Sequence, residues 1–333
     1  MSIAPTNLPA PYLDQRRVVV TGAAGFIGST VVDQLLDLGA EVVGIDDLDP
    51  WYGPDLKRAN ITSALEHPAF TFCQADVVEV IGDVLEANDL VIHLAGRPGV
   101  QDSWGLGFAD YSRRNIEGTQ CVFEEALGVG VARVVYASSS SIYGSSSAVG
   151  GDRSASPISP YGVSKLAGEQ LAGVYAARGL DIVSLRYFTV YGPRQRPDMA
   201  MHRMFAATLL GDSTFVRRGD GHQRREFTFV GDVADATIRA TVALGAAGAA
   251  LDIGGGESAS LLEVMDAVES IAGPIRTHTV PSPAGDPVAT SAALEPTVAM
   301  LGWRPTTSLA AGLGAQAAWH GSRIDYSTVV EVD

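Results

Sequence analysis

The chain has 333 residues, of which 46% are hydrophobic and 18% charged. That balance describes a folded globular protein and excludes a disordered one. A net charge of −15 repels nucleic acid and anionic membrane at long range, so neither is expected as a partner, while a local basic pocket can still hold an anionic small molecule.

The first residues, MSIAPTNLPAPYLD, are Pro-rich and hold no apolar stretch of signal-peptide length, so residues 1–14 read as a flexible tail. From Arg17 onward, short β-branched runs alternate with helical patterns. Strands are expected at Arg17–Val20, Glu41–Ile45, Phe70–Ala75, Leu90–Leu94, Arg133–Ala137 and Ile182–Arg186, and an amphipathic helix at Ser29–Leu38. This alternation marks a parallel sheet covered on both faces. After Tyr191, Gly-Pro and Arg-Pro turns break the rhythm.

The expected fold is therefore α/β, a Rossmann-like doubly wound parallel sheet with a smaller C-terminal substrate-binding lobe. Residues 15–189 read as the nucleotide-binding domain. Residues 226–250 return to it, with Phe227–Ala240 back at the main sheet, and 190–225 with 251–333 form the lobe. Cys73 and Cys121 lie in apolar contexts and read as core thiols of a reducing compartment, which implies a cytoplasmic protein. No Cys or His spacing suits a metal, and no apolar run has transmembrane length.

Thr21-Gly22-Ala23-Ala24-Gly25-Phe26-Ile27-Gly28 follows the first strand and opens the first helix. Glycines there permit a tight turn and let backbone approach a pyrophosphate, which then faces the helix N-terminus. Asp46 ends the second strand about twenty residues further on, where a carboxylate accepts hydrogen bonds from ribose hydroxyls and repels a 2′-phosphate. NAD is thus expected rather than NADP. Asp76-Val77, after the third strand, is placed to reach the adenine; an ordinary turn aspartate is the other reading.

Tyr161-Gly162-Val163-Ser164-Lys165 opens a helical segment, which puts tyrosine and lysine on one face, one turn apart. The ammonium is expected to stabilise the phenolate and lower the tyrosine pKa, so that the phenolate can take a proton from an alcohol. The serine run Ser138–Ser141 ends a strand and offers a hydroxyl to the same alcohol.

Taken together, these residues resemble the extended short-chain dehydrogenase/reductase family, over about Arg16 to Leu313, and within it the nucleotide-sugar 4-epimerases, especially those of UDP-glucuronate. The resemblance is carried by DDLDPWYGPDLKRAN (Asp46–Asn60), His93-Leu94-Ala95-Gly96, YASSSSIYG (Tyr136–Gly144), RYFTVYGPRQRPDMA (Arg186–Ala200), GDGHQRREFTFVGD (Gly219–Asp232) and Leu301-Gly302-Trp303. It implies Ser139, Tyr161 and Lys165 as the catalytic trio, with Leu94, Ala95, Gly96, Asn115 and also Tyr161 and Lys165 at the cofactor. It implies Arg225 at the UDP phosphates and Thr189 beside the pyrophosphate or sugar. Homodimerisation through two helices, about Gly105–Leu127 and Tyr161–Arg178, is implied as well.

Related dehydratases carry an Asp-Glu pair, and related decarboxylases a Glu, where this chain has Ser140 and Ser141. Serines cannot do that acid-base work, so eliminations are disfavoured. What is left is oxidation at C4, turning of the 4-keto sugar, and return of hydride to its other face. Arg196 resembles a clamp for the sugar carboxylate, a group that arginine grips with two hydrogen bonds; the other reading is an arginine that serves the diphosphate or the surface, in a 4-epimerase of UDP-glucose or UDP-N-acetylglucosamine. A 4-keto uronic acid can lose CO₂. Arg196, with Ser140, Ser141 and Thr189, is expected to hold the carboxylate out of line with the carbonyl π system. Three positions depart from the resemblance. Gln101 stands where similar epimerases usually carry arginine, Pro283 lies in a segment before Gly285-Asp286 where many relatives have one, and Arg218 stands near where an aromatic often stacks on uracil.

Overall fold

The computed structural model describes residues 13–147, 153–210, 214–281 and 289–322. The first part runs β1 (Arg17–Thr21), α1 (Phe26–Asp37), β2 (Glu41–Ile45), α2 (Pro54–Asn60), α3 (Thr62–Leu65), β3 (Phe70–Cys73), α4 (Val77–Val84) and β4 (Leu90–His93). Then come α5 (Phe108–Tyr111), a π-helical turn (Ser112–Glu117), α6 (Gly118–Val129), β5 (Arg133–Ser139) and α7 (Pro160–Ala177). The remainder is β6 (Ile182–Tyr187), β7 (Thr189–Tyr191), α8 (Ala200–Leu210), β8 (Phe215–Arg218), β9 (Arg224–Phe229), α9 (Val230–Val242), β10 (Ala250–Ile253), β11 (Ser258–Ser260), α10 (Leu261–Ala272), β12 (Thr277–Val280), α11 (Leu294–Leu301) and α12 (Leu309–Gly321).

Seven parallel strands form the main sheet in the order β3-β2-β1-β4-β5-β6-β10. Successive side chains of a strand point to opposite faces, and here both faces are apolar. Val18, Val20 and Val42 pack under α1 and α9, while Val19, Val43 and Val134 pack under α4, α6 and α7. The chain direction around the sheet reverses between β1 and β4, and a crevice opens beyond the strand ends at such a switch point.

Two segments bear on the sequence expectation. Phe227–Ala240 returns to the main sheet as a helix on its face and not as a strand within it. Its strand β9 pairs with β7 and β11 in a separate three-stranded sheet, and its helix α9 covers the main sheet. The strand that rejoins is β10, on the outer edge of β6. An apolar pattern alone does not separate a covering helix from a strand. Most of the proposed tail lies outside the described residues. Leu13, however, is fully buried and Gln15 N–H donates to Gly39 O, so the packed chain begins before Gln15.

Candidate active site

Helix α1 starts at Phe26, three residues before the expected Ser29, and no side chain caps it. Its first N–H groups therefore face the crevice without a partner from the side chains. Gly28 is required by close approach, since a Cβ there would sit 2.0 Å from Gly22 O. Gly25 is different. Its Cβ would meet only Gly22 O at 3.1 Å and Tyr52 Oη at 3.9 Å. Internal packing makes a weaker demand for glycine there, and the space it leaves opens into the crevice.

One cleft gathers most of the expected residues. Gly22, Gly25, Phe26, Ile27, Gly28, Asp46, Asp76, Val77, Leu94, Ala95, Gly96, Tyr161, Lys165 and Arg196 all line it. So do residues that sequence reading did not single out, among them Trp51, Tyr52, Lys57, Arg113, Arg114 and Tyr187, and also Arg97, which stands close in sequence to Gln101. The acid-rich and aromatic segment Asp46–Lys57 held a signal for several of these.

Asp46 is buried, and its Oδ2 accepts from Ala24 N at 3.1 Å. Its Oδ1 accepts from Leu48 N at 2.9 Å and Lys57 Nζ at 3.1 Å. One lone pair of Oδ2 thus remains for a hydroxyl donor. Asp76 is both a cap and a wall residue. It accepts from Val78 N at the start of α4 and pairs with Arg113 at 2.7 Å. The glycine space, the uncapped helix and the remaining acceptor on Asp46 fit NAD, which Gly22, Gly25, Phe26, Ile27, Gly28 and Asp46 would hold.

Asn115 does not line the cleft; it stands one layer behind, within the π-helical turn, a geometry common at functional sites. Its side chain accepts from Arg97 N at 2.6 Å and donates to Arg97 O and Ser164 Oγ, both at 2.9 Å. It ties the loop after β4 to the catalytic helix. His93 does similar work. Thr119 spends its proton on Asn115 O, so its oxygen accepts from His93 Nε2 at 3.1 Å. Thr21, whose oxygen accepts Ala95 N–H, then donates to His93 Nδ1 at 2.8 Å. Burial, with Lys165 nearby, lowers the His93 pKa to about 3.

Ser159 caps α7, and Pro160 fits its first turn. Lys165 Nζ donates to Ala137 O at 2.8 Å, and burial lowers its pKa to about 8. Tyr161 departs from expectation. Burial raises its pKa, and the lowering influences are a hydrogen bond with Ser139 and the charge of Arg196. Lys165 spends a hydrogen bond on a backbone carbonyl, and among the protein's own groups desolvation of the phenolate wins. Ser139 is buried and also accepts from Ser141 N at 3.2 Å.

Arg196 reaches the cleft, but its side edge is already forked onto Asp198, Nε and Nη2 each at 3.0 Å. Ser140 and Ser141 lie in the 3₁₀ segment after β5, and Thr189 opens β7 beside Phe227. Neither these nor Ser139 lines the cleft wall. Arg218 ends β8 and is exposed, and Arg225 lies on β9; both stand outside that wall. Gln101 is exposed at the start of a short 3₁₀ turn, while Arg97 takes a place in the wall over the Trp51 ring, 4.2 Å from its centroid. Pro283 lies outside the described residues.

A glycine-opened crevice at a switch point, holding a tyrosine one helical turn from a buried lysine, defines a nucleotide-dependent enzyme of alcohol and carbonyl chemistry. Residues 18–254 match the NAD dependent epimerase/dehydratase family, and the chain belongs to it. It is an NAD-dependent nucleotide-sugar epimerase. It is 40% identical to an uncharacterized UDP-glucose epimerase of Bacillus subtilis, covering 92% of this chain and 98% of the relative. A UDP-glucuronate 4-epimerase of Thermodesulfobacterium geofontis is 33% identical, over 94% of this chain and 99% of its own. The crystal structure of a Bacillus cereus UDP-glucuronic acid 4-epimerase with UDP-glucuronic acid and NAD superposes with a TM-score of 0.85. It is 38% identical and covers 92% of this chain and 99% of that one. No helix among the described residues is long and apolar enough to cross a membrane.

Proposed function

We propose that the enzyme interconverts UDP-glucuronate and UDP-galacturonate by inverting C4. The observation that carries this is Arg196, which lines the same cleft as Tyr161 and Lys165 and acts by its charge on the Tyr161 phenol. NAD, when bound, supplies the site that accepts hydride and gives it back. Tyr161 takes the O4 proton as a phenolate, Lys165 supports that charge, and Ser139 hydrogen-bonds O4 and holds the phenol in line. Arg196 grips the sugar carboxylate, with Ser140, Ser141 and Thr189 beside it. Arg225 and Arg218 are assigned to the diphosphate and the uracil. Asp46 holds the ribose and Asp76 with Val77 the adenine, while Leu94, Ala95 and Gly96 pack on the cofactor and Asn115 braces them from behind.

Elimination chemistry is disfavoured. Ser140 and Ser141 carry no carboxyl, and Glu169, which accepts from Ser138 at 2.5 Å, is forked onto Arg186. A second reading, a neutral UDP-sugar such as UDP-glucose, is favoured by Asp198, which neutralises Arg196, and by Gln101. The enzyme is proposed to work in the cytoplasm as a homodimer. The half-exposed Val163 and Val174 of α7 support that pairing.

The test is product analysis with UDP-glucuronate and no added NAD. UDP-galacturonate without CO₂ supports the reading. CO₂ with a pentose product makes the enzyme a decarboxylase. Turnover of UDP-glucose alone leaves the neutral-sugar reading.

A further inference from the structure

We propose that Asp198 is the positioning residue of the carboxylate clamp: it holds one edge of Arg196 so that the opposite edge meets the sugar. This rests on the glucuronate reading above. A guanidinium has two edges that can fork a carboxylate, the side edge of Nε with one Nη and the end edge of the two Nη groups. Asp198 takes the side edge, Nε to Oδ1 and Nη2 to Oδ2, both at 3.0 Å. Among the described residues nothing hydrogen-bonds Nη1, so the end edge stays available. The same guanidinium lies over the Trp51 ring, 5.2 Å from its centroid. Trp51 N–H donates to Asp49, whose second oxygen accepts from Arg114 at 2.6 Å, so this platform belongs to the loop after Asp46.

The backbone beside Arg196 is fixed on one side before the side chain is. Arg194 holds a left-handed φ of 66° and pairs with Asp33 of α1 at 2.7 Å. Gln195 is buried; it donates to Val190 O and accepts from His202 N at 2.9 Å and Gln316 Nε2 at 2.8 Å. The cofactor helix, α8 and α12 thus anchor the two preceding residues. What remains free is rotation of the Arg196 side chain, and Asp198 removes it.

Edge selection has a chemical consequence. The 4-keto uronate loses CO₂ when its C5–C6 bond aligns with the C4 carbonyl π system. That bond then breaks, its electron pair passes into the C4 enolate, and a proton adds at C5. An end edge fixed in direction holds the carboxylate out of that alignment; a swivelling guanidinium does not.

The test measures KM for UDP-glucuronate and the share of turnovers releasing CO₂, using the full chain. Asp198→Ala is expected to raise each on the order of tenfold, the worth of about one charge-assisted hydrogen bond. Asp198→Asn, which keeps one acceptor oxygen, is expected to fall between wild type and Ala. It also carries the test if the Ala variant does not fold. Arg196→Ala is expected to exceed both. Asp198 variants that match wild type in both readouts, while Arg196→Ala shifts them, overturn the proposal alone. If Arg196→Ala also shifts neither, or wild type turns over UDP-glucose and not UDP-glucuronate, the glucuronate reading falls and takes the proposal with it.

Discussion

The cofactor end and the sugar end of the cleft are built from different materials. At the proposed cofactor end the wall is mostly backbone: glycines that leave space, a helix terminus without a side-chain cap, and the ends of β1, β2 and β4. At the proposed sugar end the side chains are held by other side chains, Arg196 by Asp198 and Trp51. A backbone device leaves a fixed local spacing, while a side-chain device can draw its parts from anywhere. The first kind should fail all at once when its geometry is blocked, and the second should degrade in steps.

The largest effect is expected where the two ends meet. Tyr161→Phe removes the hydroxyl that takes the O4 proton and should cut kcat on the order of 10³-fold. It should leave bound NAD in place, because the ring stays and the glycine turn and Asp46 are untouched. Loss of NAD together with activity would show that the two ends are not separable at this residue.

At the cofactor end, Gly25→Val is the next strongest break. Gly25 has an extended backbone, φ −72° and ψ 176°, which valine tolerates. The fold should survive and the approach of a pyrophosphate should not. NAD affinity should fall on the order of 100-fold, read by titration of cofactor-stripped protein. Unaltered affinity would mean that the pyrophosphate does not lie against this turn.

The same contrast decides what was legible beforehand. Six of the seven main-sheet strands, Gly22 to Gly28 and Asp46 could be read because each is local: an alternating apolar run, a glycine spacing, an acid at a strand end. Lys57 was missed as the partner of Asp46, and Arg114 as that of Asp47 and Asp49, because pairing is set by the fold. Trp51 was quoted within a segment without its role under Arg196, which lies far along the chain. The direction of the Tyr161 shift was misjudged for a related reason. Spacing placed an ammonium one turn away but said nothing of burial, nor of the carbonyl that takes a Lys165 hydrogen bond. Phe227–Ala240 was placed at the main sheet without its form, because an apolar run does not announce whether a strand or a covering helix will bury it.

A pH profile sharpens the comparison at smaller amplitude. Burial lowers the Lys165 pKa to about 8 from the usual 10.5. The ammonium that supports the phenolate is therefore lost as pH rises through about 8, and kcat should fall there with an apparent value belonging to the Tyr-Lys pair. Stability should move the other way. Between about 8 and 10.5 the unfolded chain holds a proton that the folded one has released, so this group's contribution rises with pH. Thermal melts and initial rates across that window should diverge. If both fall together, unfolding rather than lysine deprotonation sets the alkaline limb.

The smallest effect tests whether the sugar-end segment is held under strain. Arg194 is a non-glycine residue at φ 66°, which costs about 1 kcal/mol. Its pair with Asp33, at 2.7 Å with side chains 20% and 35% exposed, is worth up to about 1 kcal/mol. Arg194→Gly removes the cost and the gain together, so its stability should lie within about 0.5 kcal/mol of wild type. Arg194→Ala keeps the cost and loses the gain, and should be less stable by about 1 kcal/mol. The difference between the two variants in denaturant unfolding isolates the backbone cost, since neither has the ion pair. Equal stabilities would mean that alanine sits in this conformation without penalty. The segment beside Arg196 would then hold no backbone strain at Arg194, whatever its pair with Asp33 contributes.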